Sequence, residues 1–262
     1  MRALNISAGG MLAQQLNVEV ISHNLAAMNV AGHKAQRVEF ADMAYQNVRM
    51  AGTNTSSNTV LPTGMQVGLG VKPVAITRIL LPGDFKATGN PLDLAVEGKG
   101  YLPITMPNNT TAYTRAGDLQ IGPTGIIVTL EGYPVAPQIT IPPEAIEIAI
   151  GPTGEVLARL SGTPTPQNLG TIQLANFINP GGLEGIGDRL FVESVASGPA
   201  TTSNPGEPGF GYLKQGFLEN ANTDPIDQMT RLVEAQRLYE MNAQGVQVSS
   251  EMMSTSNRLR SS

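Results

Sequence analysis

The stretch that decides the fold is residues 224–259, DPIDQMTRLVEAQRLYEMNAQGVQVSSEMMSTSNRL. Large side chains with apolar surface recur in it every seven residues, at Leu232, Tyr239, Val246 and Met253. A seven-residue apolar repeat is typical of a helix that packs along a partner helix. Asp224 followed by Pro225 is a typical helix start, because Asp caps free N–H groups and Pro fits the first helical position. We therefore predict a helix over 225–259, roughly 50 Å long.

A second helix is predicted at the other end of the chain, over about residues 3–30. Its apolar side chains also recur every seven residues, at Leu4, Met11, Val18 and Leu25. Asn29 or Gly32 should end it, because both residue types tolerate the left-handed conformation of a helix C-cap. Each apolar row is narrow, and such a helix is marginal alone in water. The two helices should therefore pair with each other or with other copies, although plain amphipathic helices packed on a central domain remain the alternative.

The middle of the chain, residues 46–220, is rich in Gly and Pro and reads as a mostly antiparallel β domain. Short β-branched or alternating runs predict strands at Gln66–Thr77, Leu92–Glu97, Gly125–Leu130, Gln138–Ile141, Glu144–Ile150, Thr171–Phe177 and Arg189–Val195. The sequence IGPTG occurs twice, at 121–125 and 150–154, and each copy fits the turn of a hairpin. Residues 51–59, a polar low-complexity stretch, predict a flexible loop or a hairpin tip.

These elements predict an α+β fold in which the terminal helices pair as a coiled-coil-like domain. The predicted parts are 1–33 (first helix), 34–75 (a connecting segment with an extended hairpin), 76–215 (the β domain) and 216–262 (second helix). Only 14% of the 262 residues are charged, against about 25% in typical soluble domains. A low-charge surface is consistent with a subunit that buries much of it and with an ordinary β protein.

Composition argues against several classes of partner. The net charge of −5 and the lack of a Lys/Arg cluster argue against nucleic-acid binding and against a basic membrane-surface helix. The sequence contains no run of 18 apolar residues, so no membrane-spanning helix is predicted. Without cysteine the chain has neither disulfides nor thiolate metal sites. The N-terminal segment is broken early by Asn5 and Ser7, so we expect no cleavable signal peptide.

No chemistry-bearing motif stands out, so we expect no enzyme activity, no cofactor and no metal site. His23 and His33 lack ligand partners at a metal-binding spacing. Residues 98–100, GKG, lack the third glycine of a dinucleotide fingerprint. No Gly-x-Ser-x-Gly nucleophile elbow is present.

Four segments resemble the signatures of flagellar rod and hook proteins. They are distributed along the chain from residue 24 to residue 242, so the resemblance extends over essentially the whole chain. Residues 24–34, NLAAMNVAGHK, are similar to the family's N-terminal motif in Asn24, Leu25, Ala26, Asn29, Gly32 and Lys34. Residues 234–242, EAQRLYEMN, resemble its C-terminal motif, which includes Gln236, Arg237 and Tyr239. Residues 89–101 and 113–117 are similar to its central motifs. Ala27, Val30 and His33 depart from the family pattern.

The resemblance implies a structural subunit that polymerises helically into the rod, with the distal-rod members the most similar by length and by residues 64–71. The alternatives are a proximal rod protein or a non-flagellar, self-assembling secreted structural protein. The implied partners are other copies, other rod subunits, the hook protein, the surrounding ring (bushing) proteins and the flagellar type III export apparatus. The implied location is the basal body, where the rod crosses the periplasm. The expected assembly interface comprises Leu4, Met11, Val18, Asn24, Leu25, Asn29, Leu232, Gln236, Arg237, Tyr239, Val246 and Met253.

Overall fold

The computed structural model describes residues 2–50, 54–56, 59–60, 63–162 and 165–261. The chain divides into two compact units. The first comprises Met1–Ala26, Gln36–Thr77 and Asp224–Ser262, and the second comprises Ala27–Ala35 and Arg78–Thr223. Two long helices and many antiparallel strands confirm the predicted α+β class.

The two helices belong to the first unit. They are α1 (Arg2–Ala26) and α2 (Pro225–Ser261). Asp224 caps α2 as predicted, since its Oδ1 accepts a hydrogen bond of 2.9 Å from the N–H of Ile226. At 37 residues α2 is about 55 Å long.

The first helix ends at Ala26, ahead of the predicted Asn29 or Gly32. The following residues close tight turns instead of helical hydrogen bonds, with Val30 N–H donating to Ala27 O and His33 N–H donating to Val30 O. Gly32 has a φ of 70°, the left-handed conformation, but it lies in these turns and not at the helix end.

The strands of the first unit pair in nested order. They are β1 (Gln36–Asp42), β2 (Tyr45–Arg49), β3 (Asn54–Ser56), β4 (Thr59–Val60), β5 (Met65–Gly68) and β6 (Val71–Arg78). β1 pairs with β6, and antiparallel pairs join β2 to β5 and β3 to β4. This is the order of a long hairpin. Residues 51–53, 57–58 and 61–62, which include most of the predicted polar tip, lie outside the described residues.

The second unit is built from short strands. They are β7 (Phe85–Ala87), β8 (Leu94–Glu97), β9 (Leu102–Thr105), β10 (Thr111–Thr114), β11 (Gln120–Ile121), β12 (Ile127–Val128), β13 (Ala145–Ile150), β14 (Glu155–Leu160), β15 (Gln167–Thr171), β16 (Leu174–Asn176), β17 (Glu184–Gly187), β18 (Leu190–Val192), β19 (Thr201–Ser203), β20 (Tyr212–Gln215) and β21 (Phe217–Glu219). A short 3-10 helix spans Pro180–Gly182. The larger sheets have the orders β17-β18-β10-β9 and β13-β14-β15. Strand pairs β11-β12, β16-β19, β20-β8 and β21-β7 complete the unit.

Both copies of the repeated sequence form hairpin turns, as predicted. The first connects β11 to β12, where Gly125 N–H donates to Gly122 O at 2.9 Å. The second connects β13 to β14, where Gly154 N–H donates to Gly151 O at 2.9 Å. The last glycine of each copy has a positive φ, 79° and 87°, which explains why glycine stands there.

The predicted strand Gln138–Ile141 is wrong. Only Thr140 pairs, in an isolated bridge with Ile126. Pro137 precedes the segment and Pro142 follows it, and proline cannot donate to a strand ladder. Ile139 and Ile141 are nevertheless buried, and they contribute to a core that includes Leu94, Val96, Leu102, Ile104, Leu119, Ile127, Val156, Ile172 and Leu174.

A buried ion cluster joins five separate segments of the second unit. Glu219, at the end of β21, is wholly buried, and its Oε1 accepts hydrogen bonds from Lys34 Nζ at 2.6 Å and from Gly83 N–H at 3.1 Å. Its Oε2 accepts one from Arg115 Nε at 2.7 Å. Arg115 also donates to the carbonyl oxygens of residues 96, 98 and 100, and Lys34 donates to that of residue 81. All three charges and most polar atoms in the cluster are therefore partnered, as buried ions require.

The cluster sets the protonation of its carboxylate. Burial by itself raises the pKa of Glu219, but the charges and hydrogen bonds of Arg115 and Lys34 outweigh it and hold that pKa below its ordinary value of 4.5. A lowered carboxyl pKa stabilises the fold above the unfolded-state pKa, and this contribution is lost as the pH falls below about 4.5.

We predict that Glu219→Gln lowers the free energy of unfolding of the second unit by about 3–5 kcal/mol at pH 7, because it leaves two buried cations without a counter-charge. Stability of the variant should also fall less steeply than that of the parent chain below about pH 4.5. Denaturant unfolding followed at several pH values measures both effects. Glu147→Gln is the control, since its ion pair with Arg159 is exposed and should contribute less than about 1 kcal/mol. Equal losses from the two variants would contradict the assignment.

Candidate assembly surface

The two helices of the first unit run antiparallel along each other. Asn24 Nδ2 donates to Gln228 Oε1 at 3.3 Å near one end. Fourteen residues away on each helix, a Cβ built on Gly10 would lie 2.9 Å from Asn242 Oδ1. One turn further, a Cβ built on Gly245 would lie 3.0 Å from Ser7 Oγ. The helices therefore approach closely enough that only small or polar side chains fit between them.

The helix–helix contact is made by rows of small and polar residues that recur every seven positions. On α1 the row is Gly10, Asn17 and Asn24, and on α2 it is Gln228, Ala235, Asn242 and Ser249. The buried members are Asn24, Gln228, Ala235 and Ser249. A contact of this kind excludes little apolar surface from water, so the hydrophobic gain from pairing the two helices is small.

Asn24 is the most thoroughly bonded residue of this contact. Only 2% of it is exposed. Its Nδ2 donates to the carbonyl oxygen of Gln36 at 2.7 Å, and its Oδ1 accepts from the N–H of Gln36 at 2.8 Å. Because it also bonds Gln228, it ties α1 to the first residue of β1 and to α2. This explains why the N-terminal motif needs an amide side chain at position 24.

The helices differ in how much apolar surface they bury. α1 buries Ala13, Val20 and Ile21, and Val38 of β1 is buried near them. Over residues 225–259 of α2, for which burial is described, the buried residues are Gln228, Ala235 and Ser249. Its apolar and aromatic side chains are exposed at Ile226, Met229, Val233, Leu238, Tyr239, Met241, Val248, Met252 and Leu259. An exposed apolar surface of this extent is typical of an interaction site.

The residues expected at the assembly interface are distributed unevenly. Asn24 is buried in the helix contact. Leu4, Met11, Val18, Leu25, Leu232, Val246 and Met253 are half-buried. Asn29, Gln236, Arg237 and Tyr239 are exposed. Val18, Gln236 and Tyr239 come together in one groove on the helix pair, whereas Asn29 lies in the second unit.

Sequence reasoning missed the small and polar rows that close the helix pair. It followed the large apolar residues, which stand one position along from Gly10, Asn17 and Asn24 on α1. The missed signal is the seven-residue spacing of these three residues, matched by Gln228, Ala235, Asn242 and Ser249. Small residues at this period allow two helix backbones to approach closely.

Neither described helix is long and apolar enough to cross a membrane. Among the described residues no group of three or more His, Asp or Glu side chains could hold a metal ion.

Comparison with known proteins gives the family. The model of the "Flagellar hook protein FlgE/F/G D1 domain" matches residues 95–158, and that of the "Flagellar basal body rod FlgEFG protein C-terminal" matches residues 214–259. The flagellar basal-body rod protein FlgG of Caulobacter vibrioides is 52% identical over 262 residues, 100% of both chains. This chain belongs to the flagellar basal-body rod protein family. The FlgG proteins of Agrobacterium fabrum and Bacillus subtilis are 42% and 37% identical over 97% of this chain and of their own lengths.

Full-length similarity to FlgG makes this rod protein a structural subunit of the distal-rod type. It also favours that interpretation over a proximal rod protein or a non-flagellar filament protein. Both family matches coincide with features described above. The first spans β8 to β14 of the second unit, and the second covers α2 almost entirely. The exposed apolar surface of α2 therefore belongs to the part of the chain that matches the C-terminal model of the rod protein family.

We predict that Gly10→Leu weakens the helix pair of this rod protein by about 1–3 kcal/mol, because the added side chain overlaps Asn242. Asn242→Ala in the same chain should restore part of the loss by clearing the space. Thermal unfolding followed by circular dichroism at helical wavelengths measures the change. Ala26→Leu, an exposed position at the end of α1, is the control and should have little effect. A loss that Asn242→Ala does not relieve would speak against the close contact.

Proposed function

We propose that this subunit polymerises head to tail into the distal rod, the rigid shaft that transmits motor torque to the hook. The proposal rests on the contrast between the residues that lie between the two helices and the residues that remain exposed on α2. Small and polar residues close the pair, while large apolar side chains remain exposed along α2. Burying one such side chain is worth about 1.5–3 kcal/mol. Neighbouring copies that cover these exposed side chains would gain far more than the isolated chain gains from pairing its own helices.

The terminal helices are proposed to form the coiled-coil-like assembly domain, with the apolar seven-residue rows as the seam between copies. In this arrangement residues 1–33 and 216–262 supply the helices, 34–75 the connecting hairpin, and 76–215 the β domain. A helical tube requires contacts between two different surfaces of each subunit, since such contacts repeat without closing. The interface residues expected from the sequence, from Leu4 to Met253, are the proposed participants.

The proposed partners beyond other copies are the remaining rod subunits, the hook protein, the surrounding ring proteins and the type III export apparatus. The proposed location is the rod where it crosses the periplasm. Membership in the rod family and similarity to the FlgG relatives support assembly with rod and hook components. The same membership supports a purely structural role with no enzymatic activity.

Assembly from exported subunits favours helices that become ordered only on docking, because this keeps monomers from polymerising early. The small buried surface of α2 supports such a mechanism. In hydrogen exchange on the isolated subunit we predict rapid exchange at residues 4–28 and 232–259, with protection appearing in assembled rods. The core strands of the second unit should be protected in both states and serve as the internal control. Strong protection of both helices in the monomer would rule out this coupling.

The seam assignment is tested by Val246→Asp. It places an unpaired charge on the apolar row of α2, at a half-buried position, and should abolish rod assembly while leaving the second unit folded. Motility and electron microscopy of basal bodies measure assembly, and unfolding of the purified subunit measures the fold. Val195→Asp, a fully exposed position in the second unit, is the matched control and should assemble normally. Normal rods from Val246→Asp would refute the seam.

A further inference from the structure

The last three turns of α2 have no counterpart in the described part of α1. In the antiparallel register set by Asn24 with Gln228 and by Gly10 with Asn242, Arg2 is level with Ser250. Since α1 begins at Arg2 and α2 continues to Ser261, residues 251–261 lie beyond the described start of α1. We call these residues the α2 tip. They form about 16 Å of helix.

The α2 tip combines exposed apolar side chains with positive charge. Met252 is 60% exposed and Leu259 is 76% exposed. Residues 251–261, EMMSTSNRLRS, contain two arginines, both within the last four residues, and one acidic residue, Glu251, at the start. Arginine near the C-terminus of a helix interacts favourably with the helix dipole, which accounts for the sign of the charge. It does not account for the exposed methionine and leucine, which gain nothing from the dipole.

A groove of matching chemistry lies elsewhere on the helix pair. It has a volume of about 320 Å³ and is lined by Gln15, Val18, Glu19, Gln236, Tyr239 and Glu240. Val18 and Tyr239 supply apolar surface, while Glu19 and Glu240 are exposed carboxylates. None of these six lining residues is basic. The groove therefore fits an apolar side chain that is flanked by positive charge. We call it the helix-pair groove.

The tip of the same chain cannot fill this groove. Leu259 stands nineteen residues beyond Glu240 on one continuous helix, a separation of about 28 Å. The occupant must therefore come from another molecule. A second copy of this chain carries a suitable segment, and the proposed function brings copies together.

We propose that the α2 tip of one subunit docks in the helix-pair groove of another, with Leu259 against Val18 and Tyr239 and the basic end of the tip beside Glu19 and Glu240. This proposal rests on the proposed function, and the contact would join two neighbouring subunits of the rod. The tip and the groove are different surfaces, so the contact is heterologous and repeats without closing. Burial of Leu259 supplies affinity, and the opposite charges fix the direction in which the tip enters.

Engineered cysteines test the contact, since the chain has none of its own. Gln236→Cys marks the rim of the groove, and Ser256→Cys marks the tip one turn before Leu259, so the apolar contact itself is left intact. In assembled rods of the double variant, oxidation should give a ladder of linked oligomers. The two sites are too far apart on one helix to form a disulfide within a chain. The matched control is Gln236→Cys with Thr230→Cys, an exposed position near the other end of α2, which should give no ladder.

Charge reversal provides a second test of the same contact. Glu19→Lys with Glu240→Lys should lower the cross-linked fraction by about tenfold, the scale expected when charge complementarity at an interface is lost. Adding Arg258→Glu and Arg260→Glu should restore it, which a role of the arginines in helix capping alone would not do. A missing ladder, an equal ladder from the control pair, or no restoration overturns the contact. If these rods still form, the proposed function survives. Absence of the unaltered chain from basal bodies would overturn both.

Discussion

The close approach of α1 and α2 is the constraint on which the rest of the assembly surface depends. Gly10 and Gly245 lie where a Cβ would meet the facing side chain, and Asn24 bonds Gln228 across the same contact. Two helices that touch through such residues cannot place their large side chains between them. The leucines, methionines and valines of α2 are consequently left half-buried or exposed. The geometry of one contact thus produces the apolar surface that makes the subunit suited to polymerisation.

The second unit is held together differently. Its core is densely apolar, and Glu219 with Lys34 and Arg115 forms a buried ion cluster inside it, in which each charge has an opposite charge beside it. Lys34 and Arg115 belong to segments that resemble family motifs, and the cluster gives a physical reason for both residue types. A buried lysine or arginine is tolerated only with a counter-charge and with acceptors for its remaining N–H groups. The second unit thus contains a core of its own, whereas α2 buries few of its described side chains.

Features encoded in short stretches could be predicted correctly. The seven-residue rows indicated both helices, Asp224 and Pro225 marked the start of α2, and both copies of IGPTG form turns. Predictions that depended on the neighbouring sequence or on the packing of other segments were less successful. Gln138–Ile141 has the composition of a strand, but flanking prolines and the surrounding core leave it mostly unpaired. The end of α1 was placed too late, because Asn29 and Gly32 serve a turn that follows the helix.

The sequence by itself determined the α+β class, the seven-residue periodicity of both helices, the hairpin turns and the resemblance to rod proteins. All of these depend on local spacing, which backbone geometry translates directly into helices, strands and turns. Only the tertiary structure decided which row of each helix faces the other. Apolar rows and small polar rows share one period, so periodicity cannot distinguish them. The distance between the two helix backbones distinguishes the rows, because only the small residues fit where the helices meet.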